Sequence, residues 1–593
     1  MKAGIKQCVL SILIFLVHNS TGQNFNAIWS GKVKYNYKEG FYNRVIGENN
    51  SNVFVELNRY KGFFRRKLFL QKIKVFEKST LKEVTTKTIY YKKDSKFEKY
   101  KGLRHFKSYI SGDILYDFWL KEEDGSLQIF AASYDSKMKP IKKLTKLYGV
   151  KTGNERGSSV ADYFVVANNN SNGKILVCAE PSVAKQSNFK LEYKLINPDL
   201  TIVTSNTITL PVVSTGNSKR NGASVADYEY KDNGILYIKN NISLTRDEYK
   251  ELKGNDSKLE NYYCLLSAID PESGTINTFS AKVKDTYIQS IYILPTDKTV
   301  ELVGYFTDLK KDPRGNDKHG LYFFNLNAET LEPISQKANY FTPSQLDLLF
   351  AKDKEDRHDS KLFKTKKKKD SEENSMPSDY IIEQAINSNN GDVVLFASRM
   401  VNYYVTVCTS KGRYGQTCRQ EPRCNRSNVT AFKLKANGDI VWMSNLDRSI
   451  TYPGHFIYDL KAIERNNKYY VIYGSAFQVN ATKKRYRTMK SSKQSRESFE
   501  YAVFDGNDGQ YKKAEERINP YSTPKSERKY VSGTGVQVVN NNFYTGEYRL
   551  RLHTGRTIVS CISSIFCIPY YFTFANGYHL ESNGFVGRLE PKN

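Results

Sequence analysis

Phe164-Val165-Val166-Ala167-Asn168-Asn169-Asn170-Ser171-Asn172-Gly173-Lys174-Ile175-Leu176-Val177-Cys178 holds two apolar, β-branched runs separated by an Asn-rich stretch that ends in Asn-Gly. Asn-Gly suits a tight hairpin because both of its residues accept positive φ. The stretch therefore predicts two antiparallel strands and the turn that joins them. The same unit recurs around Asn49-Asn50, Asp124-Gly125, Asp232-Asn233-Gly234, Thr296-Asp297, Asn390-Gly391-Asp392, Asn466-Asn467 and Asn540-Asn541-Asn542. Taken near positions 49, 124, 173, 233, 297, 391, 467 and 541, the turns are spaced by 75, 49, 60, 64, 94, 76 and 74 residues.

A second hairpin often follows, with turns at Asn197-Pro198-Asp199, Asp270-Pro271, Asn327, Asn437-Gly438-Asp439 and Asp505-Gly506. Two hairpins make four strands, the content of one propeller blade, and radial closure protects the strand edges. The expected fold is all-β: a β-propeller of about seven to eight four-stranded blades, the alternative being tandem β-sandwich domains. Gly584–Leu589 is expected to complete a blade with Lys32–Tyr37 and so close the ring. Gly157–Tyr163 and Gly222–Tyr228 echo each other 65 residues apart, and Asp162 and Asp227 in them read as turn-stabilising residues beside packed tyrosines.

Lys2 and Lys6 precede the apolar run Val9–Val17, and Ser20-Thr21-Gly22 follows it. This is the pattern of a secretory signal, residues 1–22, cleaved before Gln23; an uncleaved anchor is the alternative. The propeller then occupies 23–593. Beyond Cys8 the chain has seven cysteines, none in a CxxC pattern. Export permits disulfides. The candidates are Cys561–Cys567 and a bridge between two of Cys408, Cys418 and Cys424, with Cys418–Cys424 as the candidate pair. Cys178 and Cys264 sit in apolar runs and read as buried thiols.

Lys plus Arg number 90 against 62 Asp plus Glu, a formal charge of +28, or +26 without Lys2 and Lys6. Such a charge draws an anionic partner: a lipid surface, a glycan, nucleic acid or an acidic protein. Nucleic acid is disfavoured, because the signal exports the chain and no RNP, zinc-finger or helix-turn-helix signature is present. Two stretches interrupt the strand pattern. Residues 352–376 are densely charged with both signs. Residues 483–496 carry Lys483, Lys484, Arg485, Arg487, Lys490, Lys493 and Arg496 with no acid, and form the candidate partner-binding loop. Tyr90-Tyr91-Lys92-Lys93 and Arg485-Tyr486-Arg487 interleave aromatics with basic residues, as sugar- or base-stacking surfaces do, but alternation on an ordinary strand produces the same pattern.

No GxSxG elbow, HExxH helix, Walker loop or Rossmann fingerprint occurs. His105, His319, His455, His553 and His579 are isolated in sequence and read as structural. Asp505-Gly506-Asn507-Asp508-Gly509 reads as a turn rather than a calcium loop, since the closing Glu of an EF-hand is missing. No catalytic, cofactor-binding or metal-binding residue is expected, and no cofactor.

With its signal ending Ser20-Thr21-Gly22-Gln23, its Lys/Asn/Tyr-rich composition and its strand–Asn-Gly–strand units, the chain resembles uncharacterised secreted β-propeller proteins of Bacteroidota. The resemblance implies a periplasmic or outer-membrane-associated location and a role as a subunit of an envelope complex for secretion or uptake. The expected function is a non-enzymatic scaffold that binds an envelope protein. The alternatives are a glycan-binding or glycan-hydrolysing propeller, and attachment to an anionic membrane surface.

Overall fold

Pairs of successive hairpins, each pair forming one antiparallel sheet, follow one another along the chain. The computed structural model describes residues 25–591 apart from 152–163, 212–226, 243–262, 351–375, 474–497, 518–535, 553–579 and shorter stretches of one to eight residues. Strands β1 (Phe25–Trp29) and β2 (Val33–Tyr35) come first. Blade one is β3 (Phe41–Glu48), β4 (Asn52–Lys61), β5 (Lys67–Glu77) and β6 (Glu83–Tyr91). Blade two is β7 (Arg104–Ser111), β8 (Ile114–Glu123), β9 (Ser126–Tyr134) and β10 (Pro140–Lys151). Blade three is β11 (Phe164–Asn168), β12 (Ile175–Ala179), β13 (Asn188–Ile196) and β14 (Ile202–Pro211). Blade four is β15 (Asp227–Tyr230), β16 (Leu236–Ile242), β17 (Tyr263–Ile269) and β18 (Ile276–Ala281). Blade five is β19 (Thr286–Pro295), β20 (Thr299–Asp308), β21 (Gly320–Asn327) and β22 (Pro333–Tyr340), followed by the short helix α1 (Pro343–Phe350). Blade six is β23 (Tyr380–Asn387), β24 (Val393–Ser410), β25 (Gln416–Leu434) and β26 (Ile440–Pro453). Blade seven is β27 (Lys461–Arg465), β28 (Lys468–Ile472), β29 (Ser498–Asp505) and β30 (Tyr511–Arg517). Blade eight is β31 (Gln537–Val539), β32 (Asn542–Leu552) and β33 (Leu580–Pro591), with β1 as its fourth strand.

The blades form a ring. The first strand of a blade meets the first strand of the next (β3 with β7, β7 with β11, β11 with β15, β19 with β23, β23 with β27, β27 with β31), β17 meets β19 between blades four and five, and β31 returns to β3. The described residues make a β-propeller of eight blades, within the expected range. Closure uses the expected Gly584 region, but the main N-terminal partner is β1. Ala27 pairs with Leu589 and Trp29 with Gly587, while Val33–Tyr35 pairs with Ser582–Gly584.

The cores lie between blades. Tyr116, Phe118 and Leu120 of blade two pack on Ile175, Val177 and Ala179 of blade three. Second and third strands, such as the wholly buried β12, are covered on both faces and so read as continuous apolar runs, whereas outer strands such as β22 are exposed and polar.

One turn differs from the sequence reading. Asp124-Gly125 falls between the second and third strands of blade two. The first turn of that blade is Gly112-Asp113, with Gly112 at φ 55°. Placing it at 112 converts the irregular spacings of 75 and 49 into 63 and 61. The later gap of 94 holds the charged insertion. Residues 351–375 of that insertion lie outside the described residues, but its last residue, Met376, is buried and exchanges backbone hydrogen bonds with Lys318 at 2.7 and 2.8 Å.

The turn joining the third and fourth strands of blades one to seven repeats one conformation. Leu81, Met138, Leu200, Gly274, Leu331, Gly438 and Gly509 all take a left-handed φ, between 51° and 87°. At Gly438 and Gly509 a side chain would strike the preceding blade: a Cβ on Gly509 would lie 2.6 Å from the Trp442 indole. Gly509→Ala is therefore expected to lower the stability of the fold by about 2–4 kcal/mol, from the left-handed backbone plus displacement of Trp442. Urea unfolding followed by fluorescence measures it, and an unchanged midpoint contradicts the interlock.

Candidate functional site

Of the residues singled out from the sequence, Lys483–Arg496, Cys561 and Cys567 lie outside the described residues. Cys418 and Cys424 do not pair. They sit six residues apart on β25, about 20 Å along one strand at 3.3 Å per residue. Cys418 instead bonds to Cys408, directly across the ladder on β24, and Cys424 is a buried thiol, as are Cys178 and Cys264.

That disulfide marks a feature the turn pattern did not reveal. β24 and β25 have 18 and 19 residues, against 8 in β23 and 14 in β26, which pair with them. β23 stops at the Tyr380–Arg399 pair, and β26 stops at the Pro453–Arg423 pair. From Tyr404 to Ser410 and from Gln416 to Pro422 the two strands pair only with each other among the described residues. They form a ribbon that extends about 23 Å past the blade. The available signal was Val401-Asn402-Tyr403-Tyr404-Val405-Thr406-Val407, a run of strand formers broken only by Asn402 beyond the expected strand end at Ser398.

An isolated two-stranded ribbon is marginal in water. Here both ends are secured. At the outer end, Cys408–Cys418 closes the hairpin and restricts its frayed states by an amount on the order of 2–3 kcal/mol. At the base, Arg426 is fully buried, with Nη1 3.2 Å from Glu383 Oε1 and donating to Ser398 Oγ at 3.0 Å. Arg448 Nη2 lies 3.6 Å from the same carboxylate oxygen, and Arg399 Nε donates to Asp379 Oδ2 at 2.8 Å. Hydrogen-bonded buried charges have few alternative arrangements, so this mount fixes the direction of the ribbon.

The ribbon surface is basic and aromatic. Residues 404–422, its projecting part, hold Lys411, Arg413 and Arg419 against Glu421 alone, a net of +2. Arg419 and Arg423 both reach Glu421, each at 2.6 Å, and together hold its carboxyl below the usual range. Tyr403 and Tyr404 are 38% and 59% exposed. By contrast, the basic–aromatic stretch at Tyr90 turns its first ring inward: Tyr90 and Tyr100 pack edge-on against Trp119 at 5.3 and 4.7 Å.

A second polar cluster joins blades one and two. Ser108 Oγ donates to Asp117 Oδ1 at 2.7 Å, Trp119 Nε1 donates to Asp117 Oδ2 at 2.5 Å, and His105 Nε2 lies 3.1 Å from Asp117 Oδ1. Within blade one Gln71 Nε2 donates to Glu56 Oε1 at 2.9 Å, and Glu56 Oε2 accepts from Asn43 at 2.7 Å and Arg44 at 3.1 Å, while the same Gln71 Nε2 reaches Asp117 Oδ1 of blade two at 3.3 Å. Arg44 Nη2 also donates to the Ser108 carbonyl at 3.0 Å. Burial alone would lower the His105 pKa, but its hydrogen bond to Asp117 and the charges of Asp117 and Glu56 raise it. Burial would likewise raise the Glu56 pKa, yet His105, Arg44 and Asn43 hold it below the usual range. Although Ser, His and Asp meet here, the serine donates to the aspartate rather than to the histidine. Ser108, Asp117 and Glu56 are all buried. The cluster is a clamp between blades, not an arrangement that presents a nucleophile to a substrate.

Among the described residues no three His, Cys, Asp or Glu side chains converge as a metal site, and no helix is long and apolar enough to cross a membrane. Asp505–Gly509 forms the turn between β29 and β30, with Asp505 Oδ1 accepting from the Asn507 amide at 2.8 Å.

The fold and the ribbon define a β-propeller with one elongated blade. Among solved structures, the chain is similar to the β-propeller domain of the Trilobed protease from Pyrococcus furiosus, at 9% identity and a TM-score of 0.33, covering 86% of this chain and 100% of that one. It is also similar to a eukaryotic initiation factor, at 8% identity and a TM-score of 0.35, covering 84% and 89%. A third is an oligogalacturonate lyase in complex with manganese, at 8% identity and a TM-score of 0.28, covering 64% and 83%. No family model and no curated protein matches the chain.

Proposed function

We propose that this protein is an exported, non-enzymatic β-propeller of the cell envelope that holds a protein partner through the ribbon of β24 and β25, as a subunit of an outer-membrane-associated assembly. The observation that carries the reading is the ribbon itself. A hairpin that stands off a closed ring, anchored by buried ion pairs and closed by a disulfide, adds little to the ring's own packing and offers a rigid contact surface. The disulfide supports export, since such bonds persist in oxidising compartments. The signal-like residues 1–22 support it independently.

The test uses the full chain, tagged and recovered from envelope in mild detergent, beside a variant in which Tyr404–Pro422 is replaced by Asn-Gly. That turn joins Tyr403 to Arg423, which already face each other across the ladder. The wild type is expected to carry a stoichiometric envelope protein, and the shortened chain to recover at least about ten-fold less of it while unfolding at the same urea concentration. Equal recovery by both chains, or wild type recovered alone, overturns the proposal.

A further inference from the structure

The edge of β24 that faces away from β25 has the makings of a strand-accepting surface. In an antiparallel ladder, successive residues point their N–H and C=O groups alternately toward one neighbouring strand and the other. The Met400 N–H is directed away from β25, because it donates to the Asp379 carbonyl at 2.8 Å. The register with β25 then runs without a shift from Arg399 to Ser410. Alternation therefore turns the N–H and C=O of Asn402, Thr406 and Cys408 outward as well. The disulfide agrees with this phase. Cys408 and Cys418 face each other with Cα atoms 4.0 Å apart, the close spacing of a non-hydrogen-bonded pair, in which the backbone groups point outward. Past Arg399 no strand among the described residues pairs with this edge.

Exposed edges are normally blunted by charge, proline or a bulge. Val401–Ser410 has none of these: it reads Val-Asn-Tyr-Tyr-Val-Thr-Val-Cys-Thr-Ser, with no charged residue, no Pro and no Gly. One face carries Val401, Tyr403, Val405 and Val407, with Arg423, Glu421 and Arg419 across the ladder from the last three, two guanidinium groups to one carboxylate. The projecting residues 404–422 carry Lys411, Arg413 and Arg419 against Glu421, a net of +2, and the chain +28. That charge repels a second copy of this chain and attracts an acidic segment.

We infer that the edge Val401–Ser410 binds an extended, acidic segment of a partner protein as an added β-strand, its backbone completing the ladder and its carboxylates facing the arginines of β25. The inference rests on the partner-binding reading above and names how the partner is held.

The probe is a fluorescein-labelled peptide of about 12 residues alternating Glu and Val, with a Lys-for-Glu counterpart, titrated against the full chain. The acidic peptide is expected to bind and to slow hydrogen exchange at Asn402, Thr406 and Cys408, and the basic peptide to bind at least about ten-fold more weakly. Thr406→Pro removes an outward N–H without removing a bond to β25, which is where an edge tolerates proline. It is expected to weaken the acidic peptide about ten-fold or more while the Cys408–Cys418 bond still forms. Thr406→Asp, which leaves the backbone intact, is expected to weaken binding and Thr406→Lys to preserve it. The inference is overturned if the acidic peptide does not bind, if Thr406→Pro with its disulfide formed binds equally well, or if both peptides bind alike. It is also overturned if the chain alone forms a dimer that Thr406→Pro abolishes, which assigns the edge to a second copy. Failure here together with loss of the envelope partner from the Asn-Gly variant leaves the ribbon as the contact and removes only its strand-adding mode.

Discussion

Asp117→Ala is expected to destabilise the protein by about 3–5 kcal/mol, the cost of removing one member of a buried, charge-assisted network. The substitution leaves the Trp119 indole N–H, the Ser108 hydroxyl and the His105 ring without the acceptor they share, all in a region closed to water. Urea unfolding measures the loss, and a change below about 1 kcal/mol contradicts the clamp role. The same cluster predicts the pH dependence. His105 has a raised folded pKa, so its contribution is complete below its unfolded value of about 6.5 and disappears as pH rises through the folded value. Glu56 has a lowered folded pKa, so its contribution is present above its unfolded value and disappears as pH falls through the folded one. Stability therefore declines on both flanks, and His105→Gln is expected to flatten the alkaline flank and, because His105 helps hold the Glu56 pKa down, to weaken the acid flank in part. An alkaline slope unchanged in that variant shows that another group titrates there.

Deleting Phe25–Trp29 is expected to have the larger effect. The strand supplies the fourth member of blade eight through five paired residues, Phe25 to Trp29 against Pro591 to Gly587. Phe25 is buried edge-on against Tyr501 at 4.7 Å and Tyr470 at 5.8 Å, which ties blade eight to blade seven. Phe25→Ala alone is expected to cost about 3–5 kcal/mol. Losing the whole strand also uncovers the edge of β33, so the shortened chain should unfold at markedly lower urea and associate. Adding a peptide of the missing strand in trans should restore part of the midpoint. A shortened chain that stays monomeric with the wild-type midpoint contradicts the closure.

The architecture was legible because its signals are local. Asn172-Gly173 and Asn390-Gly391 mark hairpins through the backbone freedom of their own residues, whatever surrounds them. Gly112-Asp113 and Asp124-Gly125 both suit a tight turn by composition, and only strand pairing shows which of them joins the first two strands of the blade. The clamp was not legible at all. Glu56, Gln71, His105 and Asp117 come from four strands in two blades, and no spacing rule connects them. The ribbon was half legible: its strand-forming run is plain, but nothing local states that the neighbouring strands stop short of it. Pairing Cys418 with Cys424 failed for the same reason. Nearness in sequence counts against a bond when both residues lie on one extended strand, and the bridging partner is the residue across the turn.

The seam of the ring has a consequence in time as well as in space. Ala27 must wait for Leu589, more than five hundred residues later in synthesis, before its strand has a neighbour. Contacts this distant in sequence form late and slowly. Through that interval the earliest-made strand and the final sheet each present an unsatisfied edge, a state prone to sticking to other chains. A chain built this way benefits from being held unfolded until it is whole. Its last blade then works as a completion check, because a prematurely ended product lacks β33 and cannot latch β1, and so stays open to proteolysis.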